Sequence, residues 1–238
     1  MPNPYFQFKQ FTIYHDLCAM KVGVDGVLLG AWAPLQGDEK HILDVGCGSG
    51  LITLFISQRS KASITGIDID NQAVKQSLIN VDASLWKERI HIYESSLQDF
   101  QPAAKSSYDL IVSNPPYFVN SLKTPNEARN LARHADSLST EDLLTHANRL
   151  LNDRGRICLI LPLSESVHCV KCAEKINLYC RRKVIVFPKP GKPAKRVLLE
   201  LSKVKGSLEE SELFIETESR HSYSPEFTAL LKDFYLKL

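Results

Sequence analysis

The chain has 238 residues, of which 44% are hydrophobic and 24% are charged, and its formal net charge is +2. This composition predicts a packed core and excludes a disordered chain. The longest apolar runs, such as "ICLILPL" at 157–163, are too short to cross a bilayer, and the first residues do not form a secretory leader. Six scattered cysteines are not typical of a disulfide framework, so we expect a cytoplasmic protein with no membrane partner.

The middle of the chain alternates predicted strands and helices. The predicted strands are 41–46, 62–68, 89–94, 108–113 and 155–163. Three helices are predicted. The first is 51–60, the second begins after its N-cap residue Asp70, and the third is 140–151. This β-α-β order implies a mostly parallel sheet with helices on both faces.

The two ends of the chain are predicted to elaborate this core. Near the N-terminus, 5–14 reads as extended chain and 25–32 as a helix. Near the C-terminus, 183–188 and 196–201 flank "KPGKPAK", a Pro/Gly loop that favours an antiparallel hairpin. Pro225 then opens a last helix, with these residues predicted on one face: Phe227, Leu230, Leu231, Phe234, Tyr235 and Leu238.

We expect one domain in three parts. These parts are an N-terminal extension (1–40), a core (41–163), and a C-terminal hairpin and helix (164–238).

A glycine-rich turn, "LDVGCGSG", lies between the first parallel strand and its helix. Doubly wound sheets bind ligands at this place, beyond the carboxyl ends of the strands. Gly46, Gly48 and Gly50 allow a tight turn and a close approach of the backbone to a ligand, and Asp44 precedes them.

The second strand ends in Asp68, whose carboxylate can accept hydrogen bonds from both hydroxyls of a ribose. NAD and S-adenosylmethionine both offer that diol, so Asp68 alone does not choose between them. A dinucleotide fingerprint would require glycine where this chain has Leu51, which argues against a nicotinamide-dependent oxidoreductase.

The fourth strand ends in Asn114, Pro115, Pro116 and Tyr117, a tetrapeptide suited to methyl transfer onto a planar amine. The Asn114 side-chain oxygen and the Pro115 carbonyl can accept the two amine hydrogens. Proline offers no competing N–H and stiffens the segment. Tyr117 can stack on the target base, which is worth about 1–3 kcal/mol.

These motifs resemble those of the Class I NPPY amino-methyltransferases, which methylate adenine N6 or glutamine N5. "MKVGVDGVLLGAW" at 20–32, "ARH" at 132–134 and the C-terminal "YSPEFTALLKDFYLKL" are similar more specifically to bacterial enzymes that methylate N6 of adenine 37 in a valine tRNA. The resemblance covers nearly the whole chain. It implies a Rossmann-like Class I fold with a seven-stranded, mostly parallel sheet.

The resemblance also implies roles for particular residues. The three glycines and Asp44 would hold the methionine part of S-adenosylmethionine, and Asp68 its ribose. Lys21 and Asp25 would border the same pocket. The residue that contacts the cofactor's adenine stays open between Ser96 and Asp99.

The segment 181–196 holds seven basic residues and no acidic one, which favours contact with RNA phosphates. The lysines expected to make it are Lys189, Lys192 and Lys195. After the NPPY motif, Phe118, Arg133 and His134 are candidate contacts to the base or its phosphate. We expect tRNA as the substrate and a monomeric protein. We expect no metal, since His168 with its neighbouring cysteines lacks a second ligand pair.

Three other functions compete with tRNA methylation. A ribosomal RNA adenine or a protein glutamine would suit the same chemistry. Protein glutamine methyltransferases usually carry a helical N-terminal domain, for which the residues before the first core strand are too few. A non-catalytic RNA-binding module would not need an intact NPPY motif.

Overall fold

The computed structural model describes residues 3–18, 20–102, 108–115, 138–219 and 222–237. The strands are β1 (Tyr5–Gln7), β2 (Thr12–Tyr14), β3 (His41–Val45), β4 (Ser63–Asp68), β5 (Ile90–Glu94), β6 (Tyr108–Ser113), β7 (Leu151–Pro162), β8 (Tyr179–Phe187), β9 (Arg196–Ser202) and β10 (Glu209–Phe214). The helices are α1 (Val24–Trp32), α2 (Leu51–Arg59), α3 (Asn71–Asp82), α4 (Thr140–Leu150), α5 (Ser166–Lys175) and α6 (Pro225–Leu231). Among the helices in these ranges, none is long and apolar enough to cross a membrane.

Eight strands form one sheet in the order β10-β8-β9-β7-β6-β3-β4-β5, and β1 pairs with β2 in a separate hairpin. Only β9 is antiparallel to its neighbours, β7 and β8. The chain leaves β3 in one direction toward β4 and β5 and later returns to the other side through β6. The boundary between β3 and β6 is therefore the switch point, where open α/β sheets bind ligands.

Helices cover both faces of the sheet. On one face, α1, α2, α6 and the N-terminal hairpin share a hydrophobic core. On the other face, α4 and α5 pack over a second core that includes Leu43, Ile111 and Leu159. The predicted α/β fold, with a mostly parallel sheet and a C-terminal antiparallel hairpin, is confirmed.

The two ends of the chain meet on α2 through Phe55. Its ring stacks on Phe234 at 4.3 Å and contacts Phe8 edge-on at 4.9 Å. The Lys9 N–H also donates to the Phe234 carbonyl at 2.7 Å. The N-terminal extension and the C-terminal segment are thus packed onto the central core.

The structure differs from the sequence expectation at the C-terminus. The sheet has an eighth strand, because β10 pairs in parallel with β8. The last helix ends at Leu231, so Phe234 and Tyr235 pack from the turns that follow it rather than from a helical face. Leu238, also predicted on that face, lies outside the described residues.

Candidate cofactor and substrate site

A cavity of about 570 Å³ opens at the carboxyl ends of β3, β4 and β6. Its volume is in the range of small-molecule sites. The walls combine apolar side chains, such as Val45, Ile67 and Leu97, with a few polar groups. Of the predicted site residues, the cavity brings together Gly46, Gly48, Asp68, Ser96, Asn114 and Pro115.

The glycine turn has a backbone that only glycine adopts easily. Gly46, Gly48 and Gly50 have φ angles of 70°, 54° and 80°. A Cβ on Gly46 or Gly48 would have no neighbour within 4 Å, so these two leave open space beside the backbone. Gly50 packs instead on α3, where an added Cβ would lie 2.7 Å from the Ser77 hydroxyl.

Asp44 is fully buried at the end of β3. Its Oδ2 accepts a hydrogen bond from the Thr53 hydroxyl at 2.7 Å, while its buried Oδ1 has no partner among the described residues. Burial raises the pKa of Asp44 to about 7, and the charge of Asp68 adds to the effect. The unpaired oxygen is an acceptor suited to a cationic group such as an α-ammonium.

Asp68 ends β4 at the cavity wall, and two backbone amides fix its carboxylate. Its Oδ2 accepts from the Gly48 N–H at 2.8 Å and its Oδ1 from the Asp70 N–H at 2.9 Å. Each oxygen keeps a second lone pair for a ligand hydroxyl. The fixed carboxylate therefore suits a ribose diol.

Ser96 and Asp99 lie on the cavity wall after β5, and they are hydrogen-bonded to each other. The Ser96 hydroxyl donates to Asp99 Oδ2 at 2.6 Å and accepts from the Asp99 N–H at 3.1 Å. The Ser95 N–H donates to the Asp68 carbonyl at 2.9 Å, which ties this turn to β4. The structure therefore offers both candidates for the adenine contact as one unit.

Asn114 and Pro115 reach the cavity from the end of β6. The hydroxyl of Ser113 donates to the Val45 carbonyl at 2.9 Å, which fixes the end of β6 against β3. The rest of the predicted substrate-binding segment lies outside the described residues, namely Pro116, Tyr117, Phe118, Arg133 and His134.

Lys21 and Asp25 are not among the described residues that line the cavity. Lys21 is exposed, and Asp25 forms an ion pair with Arg196 Nε at 2.8 Å. The N-terminal segment reaches the cavity through Cys18 and Met20 instead. Sequence reasoning did not single out either residue: Cys18 belongs to no motif, and Met20 only begins the motif at 20–32, from which Lys21 and Asp25 were chosen.

The basic segment 181–196 divides into two parts in space. On β8, Arg182 and Lys183 pair with Glu209 and Glu210 of β10 at 3.7 and 3.2 Å, so the acidic strand neutralises them. The turn 188–195, here called the basic loop, carries Lys189, Lys192 and Lys195. It lies at the same edge of the sheet as the cavity, and three strand spacings, about 14 Å, separate β8 from β6.

A separate cluster joins α4 to α5. The Cys172 thiol donates to Glu141 Oε1 at 3.4 Å and lies 3.5 Å from His168 Nε2. These three side chains have the types and spacing of metal ligands. Sequence reasoning missed Glu141, because it is far from His168 and Cys172 along the chain. The expectation that the protein binds no metal stays a prediction.

Comparisons with known proteins place this fold and cavity in one class. The Methyltransferase small domain family matches residues 27–170. Among solved structures, a predicted O-methyltransferase from Agrobacterium tumefaciens is similar with a TM-score of 0.69 at 18% identity, covering 88% of this chain and 96% of that one. Pyrococcus horikoshii TYW2 in complex with MeSAdo is similar with a TM-score of 0.60 at 14% identity, covering 83% of this chain and 70% of that one. The chain is a Class I methyltransferase, and its cofactor is S-adenosylmethionine.

Full-length relatives narrow the class to one family. A tRNA1(Val) (adenine(37)-N6)-methyltransferase of Parabacteroides distasonis is 50% identical, with all of both chains covered. A protein of the same description from Trichodesmium erythraeum is 47% identical over the same extent. The chain belongs to the family of tRNA1(Val) (adenine(37)-N6)-methyltransferases, and the family resemblance predicted from its motifs is confirmed.

Proposed function

We propose that this chain transfers a methyl group from S-adenosylmethionine to N6 of an adenine in tRNA, and that the target is adenine 37 of a valine tRNA. The observation that carries the proposal is the meeting of Asn114 and Pro115 with Asp68 and the glycine turn around one cavity. The names of the full-length relatives support the choice of tRNA and of the position.

Polar groups on the cavity wall, together with the buried Asp44, which is not itself on the wall, would hold the parts of the cofactor. Asp68 would accept the two ribose hydroxyls, and the Ser96–Asp99 pair would contact the adenine. The unpaired Oδ1 of Asp44 would attract the α-ammonium, and the open backbone at Gly46 and Gly48 would leave room for the methionine chain. When bound, the cofactor supplies an electrophilic methyl group on a sulfonium.

Asn114 and Pro115 would orient the attacking amine. The Asn114 side-chain oxygen and the Pro115 carbonyl would each accept one N6 hydrogen, which directs the nitrogen lone pair at the methyl carbon. With the amine held by these two acceptors, its lone pair would form the N–C bond, and the sulfonium would keep the pair of the broken S–C bond. The methylated nitrogen then loses a proton to water, so no side-chain base is required.

Contacts outside the cavity would hold the RNA. The basic loop would bind phosphates of the anticodon stem-loop, since its three lysines are carried on the same edge as Asn114. Tyr117, Phe118, Arg133 and His134 stay predicted contacts to the flipped base and its phosphate. A base in a loop is already partly unstacked, which lowers the cost of flipping it.

We also propose that the enzyme acts as a monomer and a single domain in the cytoplasm. The packing of both chain ends on Phe55 supports a single domain. The six cysteines are all unpaired, which suits a reducing compartment.

Methylation of defined tRNA transcripts with radiolabelled S-adenosylmethionine tests the proposal. The substrates would be an unmodified valine tRNA with adenine at position 37 and the same transcript with guanine there. Label in N6-methyladenosine from the first transcript alone is expected. Label in both would reject position 37. No label in either, with cofactor binding intact, would reject tRNA and leave ribosomal RNA or protein glutamine as the substrate to assay.

A further inference from the structure

Two buried amide side chains on α3 hold the N-terminal segment against the core. Gln76 Oε1 accepts a hydrogen bond from the Leu17 N–H at 2.9 Å. Asn80 Oδ1 accepts from the Tyr14 N–H at 2.9 Å, and its Nδ2 donates to the Tyr14 carbonyl at 2.8 Å. Gln76 and Asn80 are each only 1% exposed, so loss of a partner would leave a buried amide group unpaired.

Asn80 also reaches the glycine turn. Its Nδ2 donates a second hydrogen bond, at 2.8 Å, to the carbonyl of Ser49. One buried side chain therefore joins the segment at Tyr14 to the turn that carries Gly46 and Gly48. Displacement of either backbone would leave buried polar atoms of Asn80 without partners, which is costly.

The residues that follow Leu17 form part of the cavity wall. Cys18 and Met20 both line it, and neither is among the site residues that the sequence predicted. Burial raises the pKa of the Cys18 thiol to about 11, and the charges of Asp68 and Asp70 add to the effect. Cys18 and Asp68, whose carboxylate is assigned to the ribose, line the same cavity.

We propose that Gln76 and Asn80 are positioning residues for the cofactor, which act by holding residues 14–18, so that Cys18 and Met20 form part of the cavity wall. The proposal rests on the assignment of this cavity to S-adenosylmethionine. Loss of an amide acceptor would release the Leu17 or Tyr14 N–H and let the wall carrying Cys18 and Met20 move away. Cofactor affinity would fall although no group that touches the cofactor had changed.

The test uses Gln76→Met, which keeps the approximate length of the side chain and replaces its amide, including the acceptor oxygen for the Leu17 N–H, by a thioether. Ser84→Ala is the matched control, because the buried Ser84 hydroxyl donates to the Val81 carbonyl at the end of the same helix and does not contact residues 14–18. Binding of S-adenosylhomocysteine would be measured by calorimetry. Hydrogen exchange of the Leu17 amide would report whether the segment has loosened.

For Gln76→Met we expect faster exchange at Leu17 and about 5-fold weaker binding, which corresponds to about 1 kcal/mol. The KM for the cofactor should rise by the same factor, while kcat at saturating cofactor stays near the wild-type value. Asn80→Ala should have a larger effect, since it also frees the glycine turn. Ser84→Ala should bind like the wild type.

Three results would overturn the proposal. Faster exchange with unchanged affinity would show that the segment does not position the cofactor. Unchanged exchange would show that Gln76 does not hold the segment, and equally weak binding by Ser84→Ala would reduce the effect to general destabilisation. Failure of the wild type to bind S-adenosylhomocysteine would instead reject the cofactor assignment itself, and this proposal with it.

Discussion

Asp44 should make cofactor binding depend on pH near neutrality. Its pKa in the free protein is raised to about 7 by burial, so its charge is lost as the pH falls through that value. The α-ammonium of the cofactor is attracted to the charged form only, and an α-amino group stays largely protonated below about pH 7.5. The affinity for the cofactor should therefore be highest near about pH 7.5 and fall as the pH is lowered.

The size of the effect follows from the fraction of Asp44 that is ionised. With a pKa of about 7, roughly three quarters is ionised at about pH 7.5 and only a few per cent at about pH 5.5. Cofactor binding should weaken about 20-fold between these values. Calorimetric titration with S-adenosylhomocysteine across the window would measure it, with Asp44→Asn as the control. The variant should bind weakly at every pH, and an equal slope in both proteins would refute the reasoning.

The stability of the cofactor-free protein should depend on pH in the opposite direction from cofactor affinity, and fall as the pH rises. Because the raised pKa keeps Asp44 protonated in the folded chain while the unfolded chain already ionises, the free energy of unfolding falls as the pH rises from about 4 to about 7, by at most about 4 kcal/mol. Asp44→Asn removes this loss and keeps an oxygen acceptor for Thr53. The variant should therefore melt above the wild type at about pH 8, with the difference closing toward about pH 5. If the wild type instead melts at a higher temperature than Asp44→Asn at about pH 8, Asp44 does not destabilise the free protein.

Four more changes separate the parts of the site. Asn114→Ala should abolish methylation with little loss of cofactor binding, and equal loss of both would show a structural role. Asp68→Ala should weaken cofactor binding about 10-fold or more, measured by calorimetry, because two ribose bonds are lost. Changing the three lysines of the basic loop to glutamine should reduce the salt slope of tRNA binding by about 2, whereas Lys183→Gln should not, since Glu210 already neutralises that lysine. Dialysis against EDTA should leave the methylation rate unchanged, and a loss that zinc restores would make Glu141, His168 and Cys172 a metal site.

The core of the fold and the centre of the site could be predicted because they depend on local patterns. Buried parallel strands leave continuous apolar runs, and their carboxyl ends must share one edge of the sheet. This alone brings Gly46, Asp68 and Asn114 together. The strand β10 could not be predicted in the same way, because "EESELF" is rich in glutamate. Such charge is typical of an edge strand, because charged side chains there prevent the exposed edge from pairing with another chain.

The surroundings that sequence reasoning did not foresee depend on contacts between distant segments. Arg182 and Lys183 look like RNA-binding cations along the chain, yet β10 brings Glu209 and Glu210 beside them. Asp25 pairs with Arg196 rather than lining the cavity. Cys18 reaches the cavity because Gln76 anchors the residue before it. Charge counts and motif spacing carry no information on such pairings.

The two acidic residues beside the glycine turn are held in different ways, and the difference matches the two ends of the cofactor. Asp68 receives backbone N–H groups on both oxygens, so it is fixed as an acceptor whether or not a ligand is present. Asp44 is held through Thr53, and its buried Oδ1 has no partner among the described residues, so its charged form is costly until a cation arrives. A neutral diol needs only a fixed acceptor, whereas an ammonium can repay the cost of the buried charge. On the proposed assignment, Asp44 would discriminate between ligands with and without the amino group, while Asp68 would contribute to the binding of either.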